Sequence, residues 1–110
     1  MVTIVVKSLG LENRKIAKAQ KFIFAFIRWF IEKKLGYEPF IVDAEGAKYL
    51  KSLSKEEFDQ LEKAINDIAP TVLKMVKARK LKIRTEKVFG KDLAICVGKT
   101  IVVTVLIFGE

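Results

Sequence analysis

The chain has 110 residues, a formal net charge of +8, 51 % hydrophobic and 31 % charged residues, and no histidine. That balance excludes a disordered chain and fits one domain, residues 1–110, able to bury a core without staples. Without histidine the commonest general base and metal ligand are missing, and the single cysteine, Cys96, has no intramolecular partner, so composition calls for no metal and no cofactor.

The N-terminus Met1-Val2-Thr3-Ile4-Val5-Val6-Lys7 has neither the basic start nor the cleavage site of a signal peptide, and a cytoplasmic location is expected. Residues 2–7 are β-branched and read as a first strand. Asn13 is placed to cap a long helix running to about Leu35, with Gly36 as its stop. The apolar run Phe22 to Ile31 inside that helix is broken by Arg28 and is far shorter than the ~20 residues needed to span a bilayer, so no membrane span is expected.

On a helical wheel Arg14, Lys18, Lys21, Ala25, Arg28 and Glu32 line one solvent-facing stripe. Apolar side chains occupy roughly 220° of the remaining arc, against the ~100° that one core contact requires. The excess points to self-association, with Phe22, Phe26, Trp29 and Phe30 as the oligomer interface, probed by the expectation of a dimer. Trp29 beside Arg28 also has the makings of a platform for stacking a base.

Gly36-Tyr37-Glu38-Pro39 turns the chain into a second strand, Phe40-Ile41-Val42, and strand, helix and strand predict a right-handed parallel βαβ unit. Asp43 and Glu45 follow that strand. Acids there suit helix caps, and they are the one place for carboxylate-based catalysis in a chain otherwise read as non-enzymatic. Residues 44–53 are expected to form a short helix. Ser54-Lys55-Glu56-Glu57 is a capping box opening a helix with Phe58, Leu61, Ile65 and Ile68 on its apolar face, kinked or restarted at Pro70, with a last piece from Thr71 to about Arg79.

The remainder predicts an antiparallel meander of strands 81–89, 92–97 and 100–108, with Val103, Val105 and Ile107 in the core. Its two turns are Gly90-Lys91 and Gly98-Lys99. The second lies in Ile95-Cys96-Val97-Gly98-Lys99-Thr100, which ends like a Walker A loop. That loop needs a glycine at position 93 and a helix after Thr100; the chain has Leu93 and an unbroken β-branched run, so a tight turn is expected and no nucleotide. The whole is an α+β fold: a parallel βαβ start, a kinked helical middle and a C-terminal meander in one two-layer domain.

Charge is uneven along the chain. Residues 1–36 carry eight basic and two acidic groups (+6), residues 37–69 four and eight (−4), and residues 70–110 nine and three (+6). Should the two basic segments meet, they would form one cationic face suited to nucleic acid. Lys74, Lys77, Arg79, Lys80, Lys82 and Arg84, with Lys91 and Lys99 on the turn tips, are the candidate phosphate contacts; by the period of two, Lys82 and Arg84 share the outward face of a strand.

The order βαβα plus hairpin, the passage Phe40-Ile41-Val42-Asp43-Ala44-Glu45-Gly46-Ala47 and the stretch Lys80-Leu81-Lys82-Ile83-Arg84-Thr85-Glu86-Lys87-Val88 together resemble the Alba family of small archaeal DNA- and RNA-binding proteins. The family's lysine pair and proline after the first strand are replaced here by Lys7-Ser8-Leu9-Gly10, so the resemblance implies a binding class and no particular binding residue. Sequence thus favours a basic, sequence-nonspecific, dimeric nucleic-acid-binding protein. The competing expectation is a non-enzymatic oligomeric scaffold of a hyperthermophile or its virus, because abundant Lys and Glu with two Asn and two Gln also suit thermostability.

Overall fold

A computed structural model of the chain describes residues 2–8, 11, 13–37, 48–78, 80–88 and 92–109. Among the described residues two helices and five strands give an α+β fold. In chain order they are β1 (Val2–Ser8), α1 (Arg14–Trp29) extended by a π-helical turn (Phe30–Lys34), β2 (Lys48–Leu53), α2 (Lys55–Met75), β3 (Ile83–Val88), β4 (Asp92–Val97) and β5 (Thr100–Gly109). The strands form one sheet in the order β2-β1-β5-β4-β3.

Every pairing in that sheet is antiparallel, which corrects the expected parallel βαβ start. The expected strand 40–42 lies outside the described residues. The neighbour of β1 is instead residues 48–53, where a helix was expected, with Leu53 opposite Val2 and Lys48 opposite Lys7. The C-terminal meander is present. Val97 faces Thr100 across a two-residue turn in which Gly98 has φ +64° and Lys99 does not share the positive φ, the sign pattern of a type II′ turn, and Gly98 N donates to Lys82 O at 2.7 Å. The Gly90-Lys91 turn lies outside the described residues.

Local chemistry fixes the helix ends. Asn13 Oδ1 accepts from the backbone of Lys15 (3.0 Å) and Ile16 (3.1 Å), satisfying two otherwise unpaired donors of α1. In the following π-helical turn Leu35 N reaches back to Phe30 O, and Gly36, at φ +81°, takes the chain away. α2 opens with the full capping box: Ser54 Oγ accepts from Glu57 N at 3.1 Å and Glu57 Oε1 from Ser54 N at 2.9 Å. It then runs without interruption through Pro70 to Met75, so the expected restart at Pro70 does not occur.

α1 lies against β5 and β1, and α2 against α1 and β3. Between the layers Ile23, Ile27 and Ile31 meet Leu61, Ile65, Leu93, Ile95, Val97, Val103 and Val105. The expected Val103 and Val105 are fully buried; the side chain of Ile107 is outside the described set. Val102 is buried as well, because the β4–β5 register steps from Ile95 opposite Val103 to Cys96 opposite Ile101 and leaves it as the extra residue of a bulge. Its carbonyl, taken out of the ladder, accepts from Gln20 Nε2 at 2.6 Å, which accounts for a buried glutamine on the core side of α1.

Candidate nucleic-acid interface

The helices are antiparallel. Tyr37, just past α1, donates its hydroxyl to Glu57 in the first turn of α2 at 2.6 Å, while Lys15 in the first turn of α1 donates its ammonium to Lys77 O, just past α2, at 3.3 Å. The second of these contacts joins the two basic segments of the sequence.

At that end three adjoining hollows open on the surface. The largest, about 790 Å³, is lined by Lys15, Lys74, Lys77, Ala78, Lys80 and Leu81. A second holds Lys74 and Lys82 with Asn66, Ala69, Pro70, Leu73 and Ile83, and a third Arg14, Lys15, Lys18 and Lys77 with Met75 and Val76. Seven cations, all exposed, therefore converge from α1, the end of α2 and the segment leading into β3; among the described residues lining these hollows there is no carboxylate.

Part of this charge has an ordinary role. Lys74 lies in the last turn of α2, where a cation offsets the negative end of the helix dipole. Lys15 has an ordinary role as well, its ammonium meeting Lys77 O at the end of α2, while Arg14 and Lys18 have no such account. They crowd the positive end of α1, whose first turn holds no acidic residue. A local anion would relieve that arrangement.

Lys77 is the second irregularity. α2 ends in a Schellman motif, Ala78 N donating to Leu73 O (2.9 Å) and Lys77 N to Lys74 O (3.2 Å). The residue in the left-handed position is Lys77, at φ 57°, where glycine is the usual occupant. A lysine there costs roughly 1 kcal/mol against glycine's freedom in that region, yet it sets a cation between the two larger groups of charges.

Of the residues expected from sequence, Lys74, Lys77, Lys80 and Lys82 are brought together here. Arg79 and Lys91 lie outside the described residues. Lys99 is exposed on its turn and lines none of the three hollows. Arg84 is separated from Lys82: β3 begins only at Ile83, Thr85 faces α2 through Asn66 Nδ2 (3.3 Å), and Arg84 therefore lies on the far face of the sheet, 3.2 Å from Glu86. On that face Cys96 is buried with its Sγ 3.8 Å from Glu86 Oε2; burial pushes its thiol upward, Glu86 adds to the effect, and Arg84 opposes it. The nucleophilic thiolate is disfavoured.

Sequence reasoning missed Lys15, which sits off the stripe of Arg14, Lys18 and Lys21. Its signal was its place two residues after the cap, at a helix end that favours acids. In the expected oligomer interface, Trp29 is 50 % exposed and Phe22 38 %, Phe26 is partly buried, and Phe30 at 7 % belongs to the chain's own core, on the helix face it shares with Ile23 and Ile27. Asp43 and Glu45 lie outside the described residues. Among the described residues no helix is long and apolar enough to cross a membrane, and no group of three or more His, Cys, Asp or Glu is placed to hold a metal ion. No family model, curated protein or solved structure matches the chain.

Proposed function

We propose that the chain is a sequence-nonspecific nucleic-acid-binding protein that grips the phosphate backbone with the cationic end of its helix pair. The observation that carries this reading is the convergence of Arg14, Lys15, Lys18, Lys74, Lys77, Lys80 and Lys82 on hollows with no lining carboxylate. Arg14 and Lys15 sit in the first turn of α1, where the helix dipole disfavours cations, and Lys77 holds a backbone conformation that disfavours a lysine. Thermostability does not account for such placement, since stabilising surface charge is interleaved with opposite charge. The side chains are six lysines and one arginine, which supply affinity to phosphate without a fixed pattern for base edges. The Alba resemblance, where binding of DNA or RNA is the family's business, points the same way.

The test is affinity over a salt series. Each neutralised phosphate releases counterions, so log Kd should change linearly with log salt, with a slope of about 0.9 per contact on duplex DNA and about 0.7 on a single strand. Three to five contacts give a slope magnitude of roughly 2 to 4.5. Absence of binding at about 50 mM salt would remove this reading. A second reading, an interaction module that meets another protein or copy of itself, is favoured by one observation, the exposure of Phe22 and Trp29 on α1.

A further inference from the structure

We infer that Phe22 and Trp29 form a stacking platform that continues the cationic hollows along α1, so that the preferred ligand is a single-stranded nucleic acid. This rests on the nucleic-acid reading above and names the form of nucleic acid that the surface suits.

Trp29 is half exposed, and one face of its indole is held by Phe26, with ring centroids 5.8 Å apart and planes at 29°. Phe26 is itself packed against the core, so the indole rests on a fixed support and turns its other side to solvent. Such a ring loses little freedom on receiving a base. Phe22 lies two turns earlier on the same side of α1, about 10 Å away at 1.5 Å per residue. Lys18 precedes Phe22 by four residues and Lys33 follows Trp29 by four, while Lys21 adjoins Phe22 on the stripe; all three are exposed. Lys18 also lines the third hollow, which links the cationic end of the helix pair to the ring-bearing side of α1.

Two occupants fit exposed rings: a second copy of this chain, or a ligand with flat π faces. The charges decide between them. A two-fold interface apposes a patch with itself, which would set Lys18, Lys21 and Lys33 against their own counterparts. A strand of nucleic acid brings phosphates to the same lysines and bases to the rings, the combination by which single strands are held without sequence choice. A duplex keeps its bases stacked inside and can use the lysines alone.

Trp29 is the only tryptophan in the chain, so intrinsic fluorescence reads this position. The full chain is titrated with a single-stranded oligonucleotide of about 15 nucleotides and with the duplex of equal length. The expected result is saturable quenching by the single strand, tracking the anisotropy of a labelled oligonucleotide, with little quenching by duplex. Trp29→Ala should weaken single-strand binding roughly 5- to 150-fold, the effect of losing one stacked base. It should leave duplex affinity unchanged, and Trp29→Phe should restore most of the loss. Circular dichroism confirms that the variants fold. Binding of both forms with no fluorescence change and no effect of Trp29→Ala overturns the platform and leaves the cationic grip standing. No binding of either form removes both. A wild-type dimer by light scattering that Trp29→Ala dissociates assigns the face to a second copy and overturns the inference.

Discussion

At one end of the helix pair α2 begins with Ser54, Glu56 and Glu57; at the other α1 begins with Arg14, Lys15 and Lys18. The first set follows what a helix N-terminus favours. Two carboxylates meet the positive end of the dipole, and Glu57 Oε1 accepts both the Ser54 amide and the Tyr37 hydroxyl. The second set has a good cap in Asn13 but the wrong charge behind it, and it faces a further four lysines. One end is arranged for stability alone. The other gathers like charge beside the start of α1, and the proposed phosphate grip rests on that difference.

The largest expected effect comes from reversing charge at the second end. Lys15→Glu with Lys77→Glu should weaken nucleic-acid binding by roughly 100-fold at low salt, about 2.7 kcal/mol, and reduce the magnitude of the salt slope. The same pair of changes made at Lys55 and Lys63, exposed near the start and middle of α2, should have little effect. Equal effects at both places would reduce the cationic end to a share of the net charge and break the comparison.

Glu57→Ala disturbs the other end. It removes one arm of the capping box, the acceptor of Tyr37 and a favourable dipole charge, together about 1–2 kcal/mol. For a chain of this size that lowers Tm by several degrees, roughly 4–8 °C per kcal/mol. Affinity for nucleic acid should not move. Calorimetry and the salt series on one preparation check both halves.

How much of this contrast could be read from sequence depends on the range of the signal. Caps are local, so Asn13, Ser54 with Glu57, and Gly36 mark helix ends that the structure keeps. The strands of the meander were legible from β-branched runs around Gly98-Lys99. β2 was not: Tyr49, Leu50 and Leu53 have the spacing of a helix face, and only pairing with β1 makes a strand of them. The two basic segments were visible, but their meeting depends on Lys15 and Lys77, 62 residues apart, and no local pattern reports that. Nor does any pattern mark a lysine in a left-handed position, or separate Lys82 from Arg84 when a strand begins two residues later than expected.

Lys77→Gly sharpens the comparison at a single site, with opposite signs for stability and function. The left-handed conformation costs a lysine roughly 1–2 kcal/mol and glycine's extra freedom in the unfolded chain returns about 0.5–1, so the variant should be more stable by about 0.5–1 kcal/mol. It should also bind nucleic acid several-fold more weakly, having lost one of the convergent cations. Lys77→Asn, which tolerates the left-handed region but carries no charge, should show the same weakening with a smaller gain in stability. A Lys77→Gly variant that binds as well as the parent would leave the strained lysine without a function.

The smallest effect is the pH dependence of the capped end, and its direction follows from the partners of Glu57. The Tyr37 hydroxyl first, and then the Ser54 amide, hold the Glu57 carboxyl below the usual glutamate range, while the same contact holds the Tyr37 phenol above its ordinary value. A depressed carboxyl contributes stability that is complete above the unfolded glutamate value, about 4.3, and is lost as pH falls through its own lower folded value. A raised phenol contributes stability that is complete below the unfolded tyrosine value, about 10, and is lost as pH climbs through its higher folded value. The Tyr37–Glu57 contact therefore supports the fold across the range between those limits. The difference in Tm between wild type and Glu57→Ala should be constant near neutrality and narrow on acidification, because a protonated Glu57 keeps part of its hydrogen bonding but not its charge. The difference between wild type and Tyr37→Phe should narrow at both extremes. Charges elsewhere titrate alike in each pair and cancel in the subtraction, so a gap that stays constant from about pH 7 to pH 2 would show that an ionised Glu57 is not what holds this end.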